Sequence, residues 1–474
     1  MGRSVRALAQ TAIWHQGVLA INVAGLMVTA RLLPAEAFGL YAIAFTVFQF
    51  AAVLVQFGQD AHLIRGRAVT LAPDALATAL GVSVATALVA VAILLGTAAT
   101  FTSLDLLSDL TPLLAIVAGT VAVLPPILIL EASLRRDLQT ALIVRIDLAC
   151  AAIQVAGAIA LAVWGAGAAA LIGGLFASTV ARLLLLLVGH PDRPALRPRL
   201  TEWRAAFRFG GTYTATGLLP RASVMLRTML LASVAGPAAL GLLNRAQTLS
   251  RLADTAMVDG IKPMVLPVMA AALREGGTGA RVYLTKVDHL VAVMWPAAIV
   301  IAILAEPLVE VLLGTGWTDT VPLVRILALA ILAYPFTRMS TKFFAAIGEE
   351  GVMLRIQIVQ QVIGFALVAG AAFHSIEAVC VALVAAAWIK AFRIARAVRS
   401  LTPYDPGAMR RIQARAAALA AAAALGPAVL TAGGVAGPVA TLALGGAAAA
   451  AGWSVCAMLT RHPLLVQARR LLGV

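Results

Sequence analysis

The chain has 474 residues, of which 62% are hydrophobic and only 12% charged, and its formal net charge is +15. A soluble domain carries about 25% charged residues, so this composition excludes a soluble enzyme and predicts that most of the chain lies in a lipid bilayer. In a soluble protein the basic excess would suggest nucleic acid; here its distribution follows membrane topology, and no nucleic-acid partner is predicted.

Fourteen stretches are long and apolar enough to cross a bilayer, because a helical span needs about 20 mostly apolar residues. Many of them are rich in Ala, Gly and Leu, which suits close packing of helices in lipid. The sequence therefore predicts an all-α, polytopic membrane protein. The predicted spans are 9–31, 39–60, 76–99, 112–131, 143–164, 168–189, 209–233, 239–262, 287–313, 321–345, 352–373, 376–398, 414–431 and 436–459.

The first span is predicted to be a retained helix and not a signal peptide. Arg3 and Arg6 precede an apolar stretch, as they would in a signal peptide. However, His15, Gln16 and Asn22 interrupt that stretch, and it is longer than the core of a signal.

The basic residues predict the orientation of the spans. With the N-terminus placed inside, 28 of the 36 Lys and Arg residues fall on the inner side, Lys286 among them, one falls outside, and seven lie within spans. The outer loops are short and carry acidic residues. Because inner loops hold the Lys and Arg excess, we expect a multi-pass protein of the bacterial cytoplasmic membrane with both termini in the cytoplasm.

A basic loop in the middle of the chain and a faint repeat indicate two halves. The segment LPAEAFGLYAIA (33–44) lies 202 residues before AGPAALGLLNRA (235–246), and each begins the second helix of its half. Parallel repeats of this kind place the substrate site between the halves. The identical pairs are Ala37 and Ala239, Gly39 and Gly241, Leu40 and Leu242, and Ala44 and Ala246. The predicted parts are an N-terminal six-helix lobe (1–190), a cytoplasmic basic linker (191–208), a C-terminal six-helix lobe (209–400) and an appended helix pair with a short tail (401–474).

Basic residues inside the spans are the candidates for substrate binding, since ionisable groups at membrane depth are rare and usually functional. Arginine suits phosphate because its planar fork donates two parallel hydrogen bonds. The seven basic residues are Arg221, Arg227, Arg245, Arg251, Lys262, Arg325 and Arg338. Polar residues at helical spacing form a stripe in the eighth span, which we expect to line a cavity, and they are Asn244, Thr248, Arg251, Thr255 and Asp259.

Structural roles are the alternative for several of these residues. Arg251 can pair with Asp254 or Asp259, and Gln56 in the second span can contact either sugar hydroxyls or a neighbouring helix. Asp147 is expected to form a local pair with Arg145 or to lie at the membrane interface.

Four segments resemble the oligosaccharide and polysaccharide flippases of the MOP (multidrug, oligosaccharidyl-lipid, polysaccharide) superfamily. They read AIWHQG (12–17), TARLLPAEAFGLYAIAFTVFQFAAVLVQFG (29–58), HLIRGR (62–67) and MLLASVAGPAALGLLNRAQTL (229–249). The resemblance implies two lobes that rock about a central cavity and a substrate made of a polyprenyl lipid, a phosphate or pyrophosphate, and an oligosaccharide. It also implies a polysaccharide polymerase and export machinery as partners. Many relatives carry an acidic residue near the position of Leu226, where this chain has Arg227.

The leading hypothesis is thus a flippase that moves a lipid-linked oligosaccharide from the inner to the outer leaflet by alternating access around a cationic cavity. A multidrug or other small-solute antiporter is the first alternative, but an exporter of organic cations would need acidic residues in its cavity. A polysaccharide polymerase or ligase is the second, but it should have larger outer loops. The chain has no P-loop, no His/Cys metal spacing and no G-x-S-x-G motif, so neither an enzyme nor a cofactor is predicted.

Overall fold

The computed structural model describes residues 2–58, 73–103, 108–137, 139–190, 197–199, 203–252, 278–338, 340–434 and 437–463. Within these ranges the chain forms α-helices and two short 3-10 turns, and no strand occurs among them. The all-α class predicted from the sequence is therefore confirmed. The chain divides into two compact units, Met1–Gly241 and Leu242–Val474.

The described residues of the first unit form six helices and the first part of a seventh. They are α1 (Gly2–Leu32), α2 (Ala35–Gln56), α3 (Pro73–Ser103), α4 (Thr111–Arg136), α5 (Thr140–Val163), α6 (Ala168–Gly189) and α7 (Trp203–Ser250). Helix α7 is two helices that meet at Gly236, which has φ 81° and ψ 165°. Glycine adopts this conformation at no steric cost, and Pro237 begins the next helical turn, where its missing N–H is not needed. The gap predicted between the seventh and eighth spans lies at this break.

Small residues bring the helices of the first unit close together, as the composition predicts. Helix α5 packs against α1 and α6, and α4 packs against α2, α3 and α6. At the contact of α5 with α6, a methyl group on Gly174 would lie 2.5 Å from the carbonyl oxygen of Gln154. A side chain at this position would force the helices apart. The core of α4, α5 and α6 is formed by Ile127, Leu130, Leu134, Ile146, Cys150 and Leu186.

The two copies of the sequence repeat meet within the first unit, at a crossing of α2 and α7. A methyl group on Gly39 would lie 1.8 Å from the carbonyl oxygen of Pro237, and one on Gly241 would lie 1.8 Å from the carbonyl oxygen of Ala35. Ala35 and Pro237 are 202 residues apart, as are Gly39 and Gly241. Gly39 of the first copy thus faces Pro237 of the second, and Gly241 of the second copy faces Ala35 of the first. The same pair of positions makes both contacts, so the crossing is self-complementary. We call it the repeat crossing.

In the described residues of the second unit, the end of α7 is followed by nine further helices, some of them short. Helix α8 packs against α10 and α15, α14 packs against α10 and α13, and α15 packs against α16. These helices are α8 (Gly279–Ile303), α9 (Ala305–Leu312), α10 (Thr320–Ile331), α11 (Tyr334–Thr337), α12 (Ser340–Ala346), α13 (Glu350–Ala372), α14 (Ile376–Leu401), α15 (Pro406–Gly433) and α16 (Pro438–Leu459). One of its core clusters includes Tyr283, Val287, Val291, Phe336, Phe343, Phe344, Ile394 and Val398.

Polar contacts at two positions along α8 join it to the final helix pair, α15 and α16. Arg415 on α15 donates to both carboxylate oxygens of Asp288 on α8, at 2.9 and 3.0 Å. Nε2 of His462, just beyond α16, lies 3.5 Å from the same carboxylate. One turn further towards the C-terminus of α8, the indole N–H of Trp453 on α16 donates to the carbonyl oxygen of Ala292 at 2.7 Å. The pair is thus a packed part of the second unit.

Eleven helices of the described residues are long and apolar enough to span a membrane, or twelve if the bent pair of α10 and α11–α12 counts as one. One of the eleven, 217–250, contains the break at Gly236 and covers two predicted spans. The first predicted span corresponds to α1, whose apolar part is shorter. Each of the fourteen predicted spans overlaps a helix of the described residues, although 59–60 of the second span, 253–262 of the eighth, 339 of the tenth and 436 of the fourteenth lie outside them.

Several helices begin before the predicted spans. The ninth span was expected to begin at residue 287, with Lys286 in an inner loop, and the corresponding helix α8 begins at Gly279 and contains Lys286. The lobes were predicted to divide at the basic linker (191–208), whereas the two compact units divide after Gly241. The compact units are defined by contacts alone, so the assignment of functional lobes stays a prediction.

Large apolar side chains are exposed on many of the helices. Leu88, Val188, Val362 and Leu425 each expose about two-thirds or more of their surface, with values of 65, 74, 66 and 68%. Soluble monomers rarely expose apolar residues so widely. Lipid is the solvent that suits this surface, and the protein is a multi-pass membrane protein.

Candidate functional site

Three of the predicted site residues lie in the first unit, where α7 runs beside α2. Arg221 is exposed, and its Nη1 donates to the side-chain oxygen of Gln49. Arg227 is half-buried, and its Nε donates to the carbonyl oxygen of Ser223 on its own helix at 3.2 Å. Gln56 is the last residue of α2 and is also half-buried. The structure thus places Arg221 and α2 in direct contact.

Four more predicted residues lie on the last two turns of α7, in the second unit. Arg245 donates to the amide oxygen of Asn244 at 2.5 Å, and the hydroxyl of Thr248 donates to the carbonyl oxygen of Asn244 at 2.9 Å. Arg251 is exposed, and its backbone N–H donates to the carbonyl oxygen of Gln247. The helix is continuous across these positions, so Asn244, Thr248 and Arg251 share a face, as predicted.

Thr255 and Asp259, which complete the predicted stripe, lie outside the described residues, and so do Lys262 and Asp254. The remaining site residues are divided between the two units, so a shared cavity stays a prediction.

Two basic residues of the tenth predicted span have different surroundings. Arg325 on α10 lies 3.6 Å from Glu306 on α9, and both side chains are at least half exposed. Arg338 lies at the break between α11 and α12, and its guanidinium lies 5.0 Å from the centre of the Tyr334 ring. Of these two residues, Arg338 lies where the helical backbone of a span is interrupted, whereas Arg325 lies within a regular helix.

An ionic network in the first unit was missed by the sequence analysis. Arg182 on α6 donates to Glu131 on α4 and to Asp147 on α5, both at 2.6 Å, and Arg135 donates to Glu131 at 2.9 Å. The partner of Asp147 is therefore Arg182 and not Arg145. Because these residues neutralise one another and tie three helices together, the network is a structural element.

The arginines of the described helices fall into two groups, those that bind a carboxylate and those that do not. Arg182 and Arg415 each bind at least one carboxylate. Arg221, Arg227 and Arg251 form no ion pair with any carboxylate of the described residues. An amide or a backbone carbonyl leaves the positive charge of a guanidinium uncompensated and most of its five N–H donors available. These three residues are suited to bind an anion.

The structure resembles solved transporters of the MOP superfamily over most of its length. It matches the lipid II flippase MurJ in an inward closed conformation with a TM-score of 0.77 at 9% identity, covering 96% of this chain and 100% of that one. A multidrug resistance MATE family transporter in its inward-facing conformation gives a TM-score of 0.64 at 15% identity, covering 85% and 98%. A MOP superfamily transporter from Pyrococcus furiosus, described as having a binding pocket of reverse polarity, gives 0.53 at 16% identity, covering 83% and 95%.

These likenesses show that the chain has the fold of the MOP superfamily transporters. The family model of the polysaccharide biosynthesis proteins matches residues 28–322, and the chain belongs to that family. A comparison with curated proteins gave no match. The resemblance predicted from the first sixty residues and from the α7 segment is therefore confirmed at the level of family and fold.

Proposed function

We propose that the protein is a flippase that moves a polyprenyl-phosphate- or pyrophosphate-linked oligosaccharide from the inner to the outer leaflet of the bacterial cytoplasmic membrane for polysaccharide assembly. Transport proceeds by alternating access around a cationic cavity lined by residues of α7. In this proposal the beginning of α1 and the end of α16 face the cytoplasm. Membership of the polysaccharide biosynthesis family supports the class of substrate.

The observation that carries the proposal is that Arg221, Arg227 and Arg251 form no ion pair with a carboxylate of the residues that the structure describes. Sugar hydroxyls and phosphate charges cost several kcal/mol each when they enter hydrocarbon without a partner. Arg221, Arg227 and Arg251 would bind the phosphate as it crosses, while the lipid tail stays in the bilayer. Gln56, Asn244 and Thr248 would offer hydrogen bonds to sugar hydroxyls.

The test is complementation of a strain that lacks the gene. The deletion strain should accumulate lipid-linked repeat units on the cytoplasmic face. Arg227→Ala and Arg251→Ala should fail to restore export although the protein reaches the membrane. Arg325→Ala is the matched control, because it removes an intramembrane arginine that is paired with Glu306, and it should complement.

Three results would contradict the proposal. Full export by both α7 variants would remove the phosphate site from these residues. Extrusion of organic cations by the purified protein in vesicles would favour an antiporter. Polymerisation of lipid-linked units by the purified protein would favour an enzyme.

A further inference from the structure

The span formed by α10, α11 and α12 is interrupted in the second unit. Its two parts are bent by 45°, and Arg338 has the extended backbone conformation φ −63°, ψ 137°. In hydrocarbon, a non-helical backbone is tolerated only where it is buried in protein or lines a water-filled cavity. Interrupted spans mark substrate and ion sites in many transporters. The break is therefore a place to look for a ligand.

A buried lysine binds the backbone at this break. Lys286 on α8 is only 9% exposed, and its Nζ donates to the carbonyl oxygen of Arg338 at 2.8 Å. The same Nζ lies 5.0 Å from the centre of the Tyr283 ring. One carbonyl and one aromatic face satisfy only part of an ammonium group that has three donors.

Two further basic residues approach the break from other helices. Helix α11, which ends at the break, packs against α8 and against α14, the helix that carries the half-buried Lys390. Arg251, just beyond the end of α7, and Lys390 both interact electrostatically with Arg338. Lys286, Arg251 and Lys390 form no ion pair with a carboxylate in the part of the chain that the structure describes. Four cations from four parts of the second unit are thus associated with one interruption of a span. We call them the basic cluster.

The nearest acidic residue along α8 does not compensate this charge. Asp288 follows Lys286 by two positions, which places it on a different face of the helix. Its carboxylate is bound by Arg415 and lies next to His462. Burying an ammonium group without a counter-ion costs several kcal/mol, and a bound anion would offset this cost.

We propose that Lys286, Arg338, Lys390 and Arg251 form a binding site for a phosphate or pyrophosphate group. Such a group carries several negative charges and several acceptor oxygens. It therefore suits two guanidinium and two ammonium groups better than a single carboxylate would. The identity of the natural ligand, the headgroup of a polyprenyl lipid, rests on the proposed function. Binding of the phosphate chemistry itself does not.

The experiment measures ligand binding to the purified full-length protein in detergent. The probes are inorganic pyrophosphate, farnesyl diphosphate and the neutral alcohol farnesol, and the readout is the dissociation constant from thermal-shift titrations. We expect both phosphate probes to bind and farnesol to have no effect. Lys286→Met and Lys390→Gln should each weaken binding of the phosphate probes about tenfold or more, since each removes a charge-assisted contact.

Controls separate a lost charge from a damaged fold. Arg325→Gln removes a paired cation of the same unit and should bind as the wild type does, and Lys390→Arg should retain most of the affinity. Lys390 is half-buried, so Lys390→Gln tests the site even where Lys286→Met fails to fold. A much higher affinity for farnesyl diphosphate than for pyrophosphate would assign the site to a lipid headgroup, and equal affinities would assign it to the free anion.

The site and the proposed function can fail separately. Wild-type affinity in both folded variants, or no binding of either phosphate probe by the wild type, would overturn the site. Phosphate binding by a protein whose deletion leaves lipid-linked units and export unchanged would overturn the flippase function and leave the site standing.

Discussion

Replacing Gly39 by Ala should destabilise the protein at the repeat crossing. The added methyl group would lie 1.8 Å from the oxygen and 2.5 Å from the carbon of the Pro237 carbonyl, where ordinary contact begins at 3.4 Å. Because backbone atoms cannot rotate away, α2 and α7 must separate. Overpacking of this kind costs about 1–3 kcal/mol, whereas Ala in place of Gly within a helix contributes about 1 kcal/mol in the opposite direction. A contact of 1.8 Å with a backbone atom belongs at the upper end of the overpacking range, so we expect a net loss of about 2 kcal/mol.

Gly96→Ala is the matched control for this prediction. Gly96 also lies within a helix, α3, and a methyl group there would meet no atom within 4 Å. It should therefore show only the gain in helix propensity, about 1 kcal/mol at most. The assay is the free energy of unfolding in mixed detergent micelles, measured for both variants under the same conditions.

A double variant tests whether the crossing is one contact. Once Gly39→Ala has moved the helices apart, the methyl group of Gly241→Ala meets less resistance, so the two losses should add to less than their sum. Stability of Gly39→Ala equal to that of Gly96→Ala would refute the reasoning, and strict additivity would refute the idea of a shared contact.

Three further predictions concern charged residues. Asp288→Asn should lower the free energy of unfolding by about 2–3 kcal/mol, because Arg415 loses the one carboxylate that it binds among the described residues, as thermal unfolding in detergent would show. Arg182→Gln should cost on the order of 2 kcal/mol, since it leaves Glu131 with a single partner; wild-type stability in that assay would contradict this. Asp405 accepts the backbone N–H groups that begin α15, and these bonds lower the pKa of its carboxyl. Its contribution to stability is present above the unfolded pKa, about 3.9, and is lost as pH falls through the lower folded value, so Asp405→Asn should flatten acid unfolding curves.

The sequence predicts the helices well because membrane spans are set by the length of apolar runs. Predicted and observed ends of α6 coincide at residues 168 and 189. Helix α8 begins eight residues before the ninth predicted span, because Lys286 counts as polar wherever it lies. In the fold, the carbonyl oxygen of Arg338 accepts a hydrogen bond from Lys286 within the helix.

The candidate site is predictable in residue type and only partly in arrangement. Intramembrane arginines are visible in any hydropathy analysis, and their preference for phosphate follows from their chemistry. The partners of buried charged residues cannot be predicted in the same way. Arg182 binds Asp147, which is 35 positions away in the sequence, and Lys286 binds the carbonyl oxygen of Arg338, which is 52 positions away. Such pairs depend on which helices are neighbours, and periodicity within one helix carries no information about that.

The repeat crossing also bears on how such a chain could arise. In this contact, position i of the first copy meets position j of the second copy, and position i of the second copy meets position j of the first. Two identical molecules can make such a contact with each other. Duplication and fusion of a gene for a half-length ancestor would convert a homodimer interface into an internal one. Afterwards neither glycine can drift independently, because a larger residue in one copy would be resisted by the backbone of the other.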